Sequence, residues 1–314
     1  MSFCHVTVLK EELVKFTCPK PINLGIDCTA GGGGHTDLLL KNLTEQGRVI
    51  AIDRDPKAIA FLRERFCKEI DQEKLILMNL KFSEIDSYLV SEGKAPDAII
   101  ADLGVSSPQI DQGSRGFSFM EDGPLDMRMN PGDGQSAKDL VNQLSELELR
   151  DIIFRYGEEP KARFIAREIV KKREEKLITT TRELANIICD AIHYKSKSKK
   201  NPATKTFQAL RIFINSELEE AEKLISISMQ RLAKKGRLGI ITFHSLEDRI
   251  VKQAYKKVCS ENIPKDIMLT AADLSKISKA EAKIIKPFPI TPAETEVYQN
   301  PRSRSAKLRV LEKY

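Results

Sequence analysis

The sequence predicts an α/β protein in which a parallel sheet is interrupted by an all-helical block. From Asn23 to Asp102 short apolar runs alternate with amphipathic stretches, the pattern of βαβ units. Helix start signals then recur without an intervening strand, and a buried-strand pattern returns only at Arg237 to Phe243, R-L-G-I-I-T-F.

Asn23 to Cys28 is the first expected strand, followed by a Gly-rich turn and a helix from Thr36 to Leu43, with Gly47 as its stop. Arg48 to Asp53 is the second. Asp55-Pro56 then supplies an N-cap and a proline at the first helical position, opening a helix with Ile59, Leu62, Phe66 and Ile70 on one face. Lys74 to Leu80 is a third strand, Ser83 to Val90 a short helix and Asp97 to Asp102 a fourth strand. Ser106 to Gly134, rich in Gly, Ser, Pro, Asp and Met, is expected to be a long ordered loop, a length that usually serves function. Ser145 with Glu148 and Thr180 with Glu183 form capping boxes, and Pro160 opens a further helix. After the fifth strand come a helix from Leu246 to Val258 and a last strand at Ala306 to Leu311. The expected domains are 1–111 with 211–314, and an inserted helical domain over 112–210.

Composition excludes several classes. With 314 residues, 41% hydrophobic and 31% charged, the chain can build a core and is not disordered. A net charge of +6 leans toward a polyanionic partner. There is no apolar run of membrane-spanning length and no secretory leader pattern, so no membrane role is expected. Six scattered cysteines without C-x-x-C suggest free thiols in a reducing cytoplasm. The four histidines lack the helical metal-pair spacing, so no metal is expected. The absence of Trp argues against extended base-stacking platforms.

The turn Asp27-Cys28-Thr29-Ala30-Gly31-Gly32-Gly33-Gly34-His35 joins strand to helix at the carboxyl end of the sheet, where open α/β folds bind ligands. His35-Thr36 does not supply the Lys-Ser/Thr of a P-loop. The dinucleotide fingerprint also fails, because Thr36 or Asp37 falls where its third glycine is required. Asp53 ends the second strand about twenty residues later, where a carboxylate takes a ribose diol. A nucleoside without a pyrophosphate therefore fits better than NAD, and S-adenosylmethionine is such a ligand. The bland alternative, a tight turn with Asp53 as a helix cap, is disfavoured by four consecutive glycines.

The chain resembles the bacterial N4-cytidine methyltransferases of small-subunit ribosomal RNA, the RsmH or MraW family. The resemblance runs nearly end to end: D-C-T-A-G-G-G-G-H at 27–35, A-I-D-R-D-P at 51–56, D-L-G-V-S-S-P-Q at 102–109, R-G-F-S-F-M at 115–120 and G-P-L-D-M-R-M at 123–129. It continues with Y-G-E-E at 156–159, N-P-A-T-K-T-F-Q-A-L-R-I-F-I-N-S-E-L-E at 201–219, F-H-S-L-E-D-R-I-V-K at 243–252 and N-P-R-S-R-S-A-K-L-R-V at 300–310. Near the start His5 to Leu9 also matches, with Thr7 where proline is common.

The resemblance implies a class I, Rossmann-like S-adenosylmethionine-dependent methyltransferase domain interrupted by a helical domain that helps hold RNA. It places Gly33, Gly34, His35, Asp53, Phe82, Asp102 and Gln109 at the cofactor. It also implies methylation of the exocyclic N4 of a cytidine in the decoding region of 16S rRNA, within the small subunit and in the cytoplasm, by a monomer or a homodimer.

The catalytic candidates are Asp102 and Ser107, since an acceptor near the exocyclic N–H favours the cationic transition state. For Asp102 the alternative is a strand-end carboxylate capping backbone amides. Gln109 stands where DNA amino-methyltransferases carry a stacking aromatic, which leaves Phe117 or Phe119 for that task. His244 and Glu247 lie after the fifth strand near the expected active-site edge, but Ser245 with Asp248 reads equally well as a capping box, which favours structural duty there, and His35 can simply orient the turn. Lys195, Lys197, Lys199, Lys200 and Lys205, with Lys161, Arg163, Arg167, Lys171, Lys172 and Arg173, are either an RNA-facing patch or an ordinary solvated surface. The competing functions are an NAD-dependent oxidoreductase and a non-catalytic rRNA-binding assembly factor.

Overall fold

The computed structural model describes residues 7–193, 201–260 and 280–314. They form two compact units, one from the described part of His5–Gly104 with Leu218–Tyr314 and one from Val105–Glu217.

The first unit is built on seven strands: β1 (Ile22–Asp27), β2 (Leu43–Ile52), β3 (Leu75–Met78), β4 (Ala98–Asp102), β5 (Arg237–Thr242), β6 (Ala282–Ile290) and β7 (Lys307–Lys313). They lie in the order β3-β2-β1-β4-β5-β7-β6, a Rossmann-like sheet. The first five run parallel, whereas β7 pairs antiparallel with both β5 and β6. Strand order reverses between β1 and β4, so the ligand crevice of an open α/β sheet falls at their carboxyl ends.

Each face of the sheet carries an apolar layer. Leu13, Leu39, Leu62 and Ile100 belong to one, and Leu24, Ile50, Ile99, Leu224 and Tyr255 to the other. These layers pack α1 (Lys10–Thr17), α2 (Gly34–Lys41), α3 (Pro56–Arg65), α4 (Cys67–Asp71) and α5 (Ile85–Glu92) with the later helices α12 (Glu217–Arg231) and α13 (Ser245–Val258). Asp55 caps α3 as expected, its carboxylate accepting from Lys57 N at 3.0 Å.

Several expectations change. Gly47 does not stop α2; that helix ends at Asn42, whose side chain donates to Leu38 O at 2.8 Å. Gly47 lies inside β2, which starts at Leu43, five residues before the expected Arg48. There the pairing with β1 slips between Ile22 and Leu24, and a Cβ on Gly47 would stand 2.7 Å from Ile22 O. A glycine is needed for close backbone approach at an irregularity. The single helix expected through Ile70 breaks at Phe66 into α3 and α4. The strand β6 and the helices α1 and α14 (Glu294–Gln299) have no counterpart in the sequence reading.

The second unit contains α6 (Ser107–Asp111), α7 (Ala137–Gln143), α8 (Glu146–Gly157), α9 (Ala162–Glu175), α10 (Thr181–Ala191) and α11 (Ala203–Asn215). Leu140, Leu149, Ile153, Ile165, Ile169, Leu184 and Leu210 are at its core. Both capping boxes form: Glu148 N donates to Ser145 Oγ at 3.3 Å and Ser145 N to Glu148 Oε2 at 2.8 Å. At α10, Glu183 N donates to Thr180 Oγ1 at 3.2 Å and Thr180 N to Glu183 Oε2 at 3.1 Å. The unit spans 105–217 rather than 112–210, because α6, inside the expected loop, and the turn beyond α11 both belong to it. Among the described residues no helix is long and apolar enough to cross a membrane.

Candidate active site

Parallel pairing brings Asp27, Asp53 and Asp102 to one edge of the sheet. Asp27 ends β1, Asp53 follows β2 and Asp102 ends β4, with Asp27 in register with Ala51 and Ile100.

Asp27 is fully buried, and its two oxygens accept from Thr29 N at 3.1 Å and Thr36 Oγ1 at 2.6 Å. It therefore ties the Gly-rich turn to the first turn of α2. Burial pushes its carboxyl up to about 6, against those two hydrogen bonds.

Gly33 N donates to Ala30 O at 2.6 Å, and its φ of 79° lies in the left-handed region. A Cβ there would meet Phe66 and Leu62 at 2.5 and 2.6 Å, while one on Gly34 would strike the Thr7 hydroxyl. Both α-carbons thus face protein, and the Gly33 C=O accepts from Asp37 N at 3.0 Å, so both Gly33 backbone groups are bonded within the turn. Gly31 is different, since its nearest neighbour on that side is Thr29 O at 3.8 Å. Sequence reasoning passed over it because spacing does not tell which glycine in a run faces open space.

His35 is buried, with Nε2 3.1 Å from Val8 O. It fastens the strap of residues 7–9 over the turn.

Asp53 accepts from Gly31 N through Oδ2 at 2.7 Å and from Asp55 N through Oδ1 at 2.8 Å. Each oxygen keeps a further lone pair for a hydroxyl donor, which is what a diol requires. Desolvation raises its carboxyl to about 6, opposed by those backbone bonds. Phe82 opens a short turn just after β3, half-buried beside Met78 and Leu80, and Asp53 N donates to Met78 O at 3.1 Å. The Asp53 carboxylate and the Phe82 ring therefore follow the neighbouring strands β2 and β3.

Asp102 N donates to Thr29 Oγ1 at 2.6 Å, and Asp102 Oδ1 is buried with no hydrogen-bond partner among the described residues. Burial first, then the like charges of Asp27 and Glu247, holds its carboxyl well above the ordinary range. A buried oxygen with spare acceptor capacity requires a donor, and one at the carboxyl edge is aptly placed to take it from a ligand. Glu247 is buried and accepts from Phe243 N at 2.9 Å and His244 N at 3.3 Å. The capping box of α13 is thus His244 with Glu247, one residue before the expected Ser245 with Asp248. Asp248 instead takes Lys307 at 3.1 Å and Arg309 at 2.9 Å, which lower its carboxyl.

Ser107 and Gln109 lie in the second unit, at the start of α6. Gln109 is buried, and its Oε1 accepts from Ser106 N at 3.1 Å as part of a capping box. The stacking expected of Phe117 or Phe119 meets prior commitments: Phe119 packs edge-on to Phe207 with centroids 5.0 Å apart, and the Arg115 guanidinium lies 5.7 Å from the Phe117 ring centroid.

The expected basic patch divides. Lys195, Lys197, Lys199 and Lys200 lie outside the described residues. Arg173 donates to Val141 O and Leu144 O at 2.8 and 2.6 Å, capping α7, and Lys172 pairs with Glu175 at 3.0 Å. Lys171 reaches Glu168 at 3.8 Å, Lys205 donates to Glu158 O at 2.8 Å, and Arg167 lies over Phe164. Lys161, the N-cap of α9, donates its backbone N–H to Glu159 Oε1 at 3.0 Å, and the exposed Arg163 side chain has no carboxylate partner among the described residues.

Among solved structures, the chain is similar to a candidate rRNA-methylase from Clostridium thermocellum at 12% identity, with TM-score 0.45 over 97% of this chain and 95% of that one. A candidate methyltransferase from Streptococcus mutans, solved in complex with SAH, matches at 12% and TM-score 0.44 over 98% and 99%. An rRNA methylase from Streptococcus thermophilus matches at 12% and TM-score 0.41 over 97% and 93%. Likenesses this distant say nothing of substrate. The sequence model of the MraW methylase family, by contrast, matches residues 2–314. With that match the chain belongs to the MraW methylase family and is an S-adenosylmethionine-dependent methyltransferase.

Proposed function

We infer that the methyl group goes to the exocyclic N4 of a cytidine in the decoding region of 16S rRNA, presented by the small ribosomal subunit. The observation that carries the reading is the buried, unpartnered Asp102 Oδ1 at the carboxyl end of β4. Support for the base and the RNA comes from the motif-by-motif resemblance and the family match.

Gly31, Gly34 and Asp53 would hold the cofactor's amino-acid and ribose parts, with the left-handed Gly33 shaping the turn and Phe82 against the adenine; Gln109 is proposed to complete the pocket. When bound, that cofactor supplies an electrophilic methyl on a sulfonium. The N4 lone pair of cytosine is delocalised into the ring, so the amine must be held in line and allowed to pyramidalise. Asp102 Oδ1 accepts a hydrogen bond from the N4–H as the C–N bond forms and takes that proton when it leaves. Its raised pKa makes the ionised form a stronger base than an ordinary carboxylate. Ser107 is the second candidate for positioning the amine. The inserted helical domain is proposed to hold the RNA. The target base must be exposed for transfer, as for enzymes that modify a base within folded nucleic acid.

Nucleoside analysis of small-subunit RNA from cells with and without this gene tests the reading. Loss of N4-methylated cytidine is expected; unchanged levels overturn it. Calorimetry with S-adenosylmethionine and with NADH separates the oxidoreductase alternative, and methyl transfer to purified subunits separates a non-catalytic assembly factor.

A further inference from the structure

The segment N-P-R-S-R-S-A-K, which the cofactor crevice leaves without a role, leads into β7. Lys307 pairs with Thr242, the last residue of β5, so residues 301–306 leave the sheet at the same carboxyl edge as Asp27 and Asp102. They follow α14, whose Glu296 accepts from Leu9 N at 2.8 Å. The neighbouring Val8 carbonyl meets His35 Nε2 at 3.1 Å. One strap, residues 8 and 9, thereby fastens α14 to the cofactor turn.

The corner itself is rigid. Asn300 N donates to Glu296 O at 2.7 Å, and Asn300 Oδ1 accepts from Arg302 N at 3.2 Å. Ser303 Oγ donates to Asn300 O at 2.8 Å, and Ser303 and Ala306 are buried. This internal anchoring leaves Arg302 and Arg304 pointing to solvent on either side of Ser303. The Arg304 side chain has no ion pair or hydrogen bond among the described residues. Tyr298, on α14, is 89% exposed, the most exposed large aromatic or aliphatic side chain of the described residues.

We propose that this corner is an RNA-binding element of the methyltransferase unit itself. Tyr298 stacks on an unpaired base, and Arg302 and Arg304 hold the phosphates that flank the target nucleotide. This rests on the rRNA reading above and adds to it a contact surface outside the helical domain. An exposed ring on α14 followed by exposed guanidinium groups on an anchored backbone matches the chemistry of single-stranded RNA, whose bases offer stacking faces and whose backbone offers charge. The anchoring also limits the entropy lost when RNA engages.

The test uses the full chain with Arg304→Glu, Arg304→Gln and Tyr298→Ala, on small subunits purified from cells lacking this gene. A fluorescein-labelled single-stranded RNA 12-mer, followed by anisotropy across a salt series, forms a second arm. Arg304→Glu is expected to raise KM for subunits about tenfold, with kcat within about twofold and S-adenosylmethionine affinity unchanged. Arg304→Gln should lower the salt slope of 12-mer binding by about 0.7, and Tyr298→Ala should weaken binding about fivefold or more. Wild-type KM and 12-mer affinity in all three variants would overturn the proposal. So would a fall in kcat with shifted cofactor affinity and unchanged KM, which marks a structural role. If the wild-type chain leaves subunits unmethylated, the rRNA reading falls instead, and the 12-mer arm still decides this one.

Discussion

The carboxylates of the sheet edge and those of the helical unit are held in opposite ways. At the edge, burial raises Asp27 and Asp53 to about 6 and holds Asp102 well above its usual range. In the helical unit, Asp122, Asp126, Asp139, Glu148 and Glu183 are all lowered by backbone, hydroxyl or arginine and lysine donors, Glu183 to about 2. The latter set stabilises its own folded state. The former places carboxyls where the charged form is disfavoured, and such arrangements cluster where chemistry is done.

The largest expected effect is at the edge. Asp102→Ala should lower kcat for methyl transfer by roughly 100-fold or more while the protein keeps its melting temperature within a few degrees; near-normal kcat would remove Asp102 from the chemistry. Next, Asp53→Ala should weaken S-adenosylmethionine binding about 100-fold in calorimetry, as two hydrogen bonds to a charged group are lost. A smaller effect is expected of Gly33→Ala, whose new Cβ runs into Phe66 and Leu62 at positive φ; a destabilisation of about 2 kcal/mol should appear in denaturant unfolding.

Thr180→Ala, in the helical unit, should cost about 1 kcal/mol through the lost cap and leave S-adenosylmethionine affinity untouched. A change in that affinity would blur the contrast between the regions. A separate effect lies in pH dependence. Asp27 and Asp53 have folded pKa values above their ordinary 3.8, so their stabilising contribution is complete below about 3.8 and is lost as pH rises through 6. Glu183 works the other way: its contribution is present above 4.5 and is lost as pH falls toward 2. Denaturant midpoints measured from pH 4 to 7 should therefore decline less steeply in Asp27→Asn than in the parent.

Much of this was legible because the signals are local. Asp55-Pro56, Ser145 with Glu148 and Thr180 with Glu183 each place a helix start from side chains within three residues of the cap. The acids at 53 and 102 were legible from their positions at strand ends, whereas Asp27, inside the expected first strand, was not singled out. What was not legible depends on distant partners. Gly47 resembles a helix stop until Ile22 O is seen against it. The strand β6, with Pro287 and Pro289 in its span, lacks strand periodicity because an edge strand tolerates proline where a central one does not. Phe117 and Phe119 looked available until Arg115 and Phe207 were found beside them.

The placement of β7 between β5 and β6, after both in sequence, has a consequence for how the chain is made. The helical unit, contiguous over 105–217, has all its residues once α11 and the turn after it have left the ribosome. The sheet must wait for β7 to be synthesised before β6 gains its neighbour. Vectorial synthesis therefore presents a finished insert on a half-built parent, and the nascent chain carries an open sheet edge until its final strand emerges.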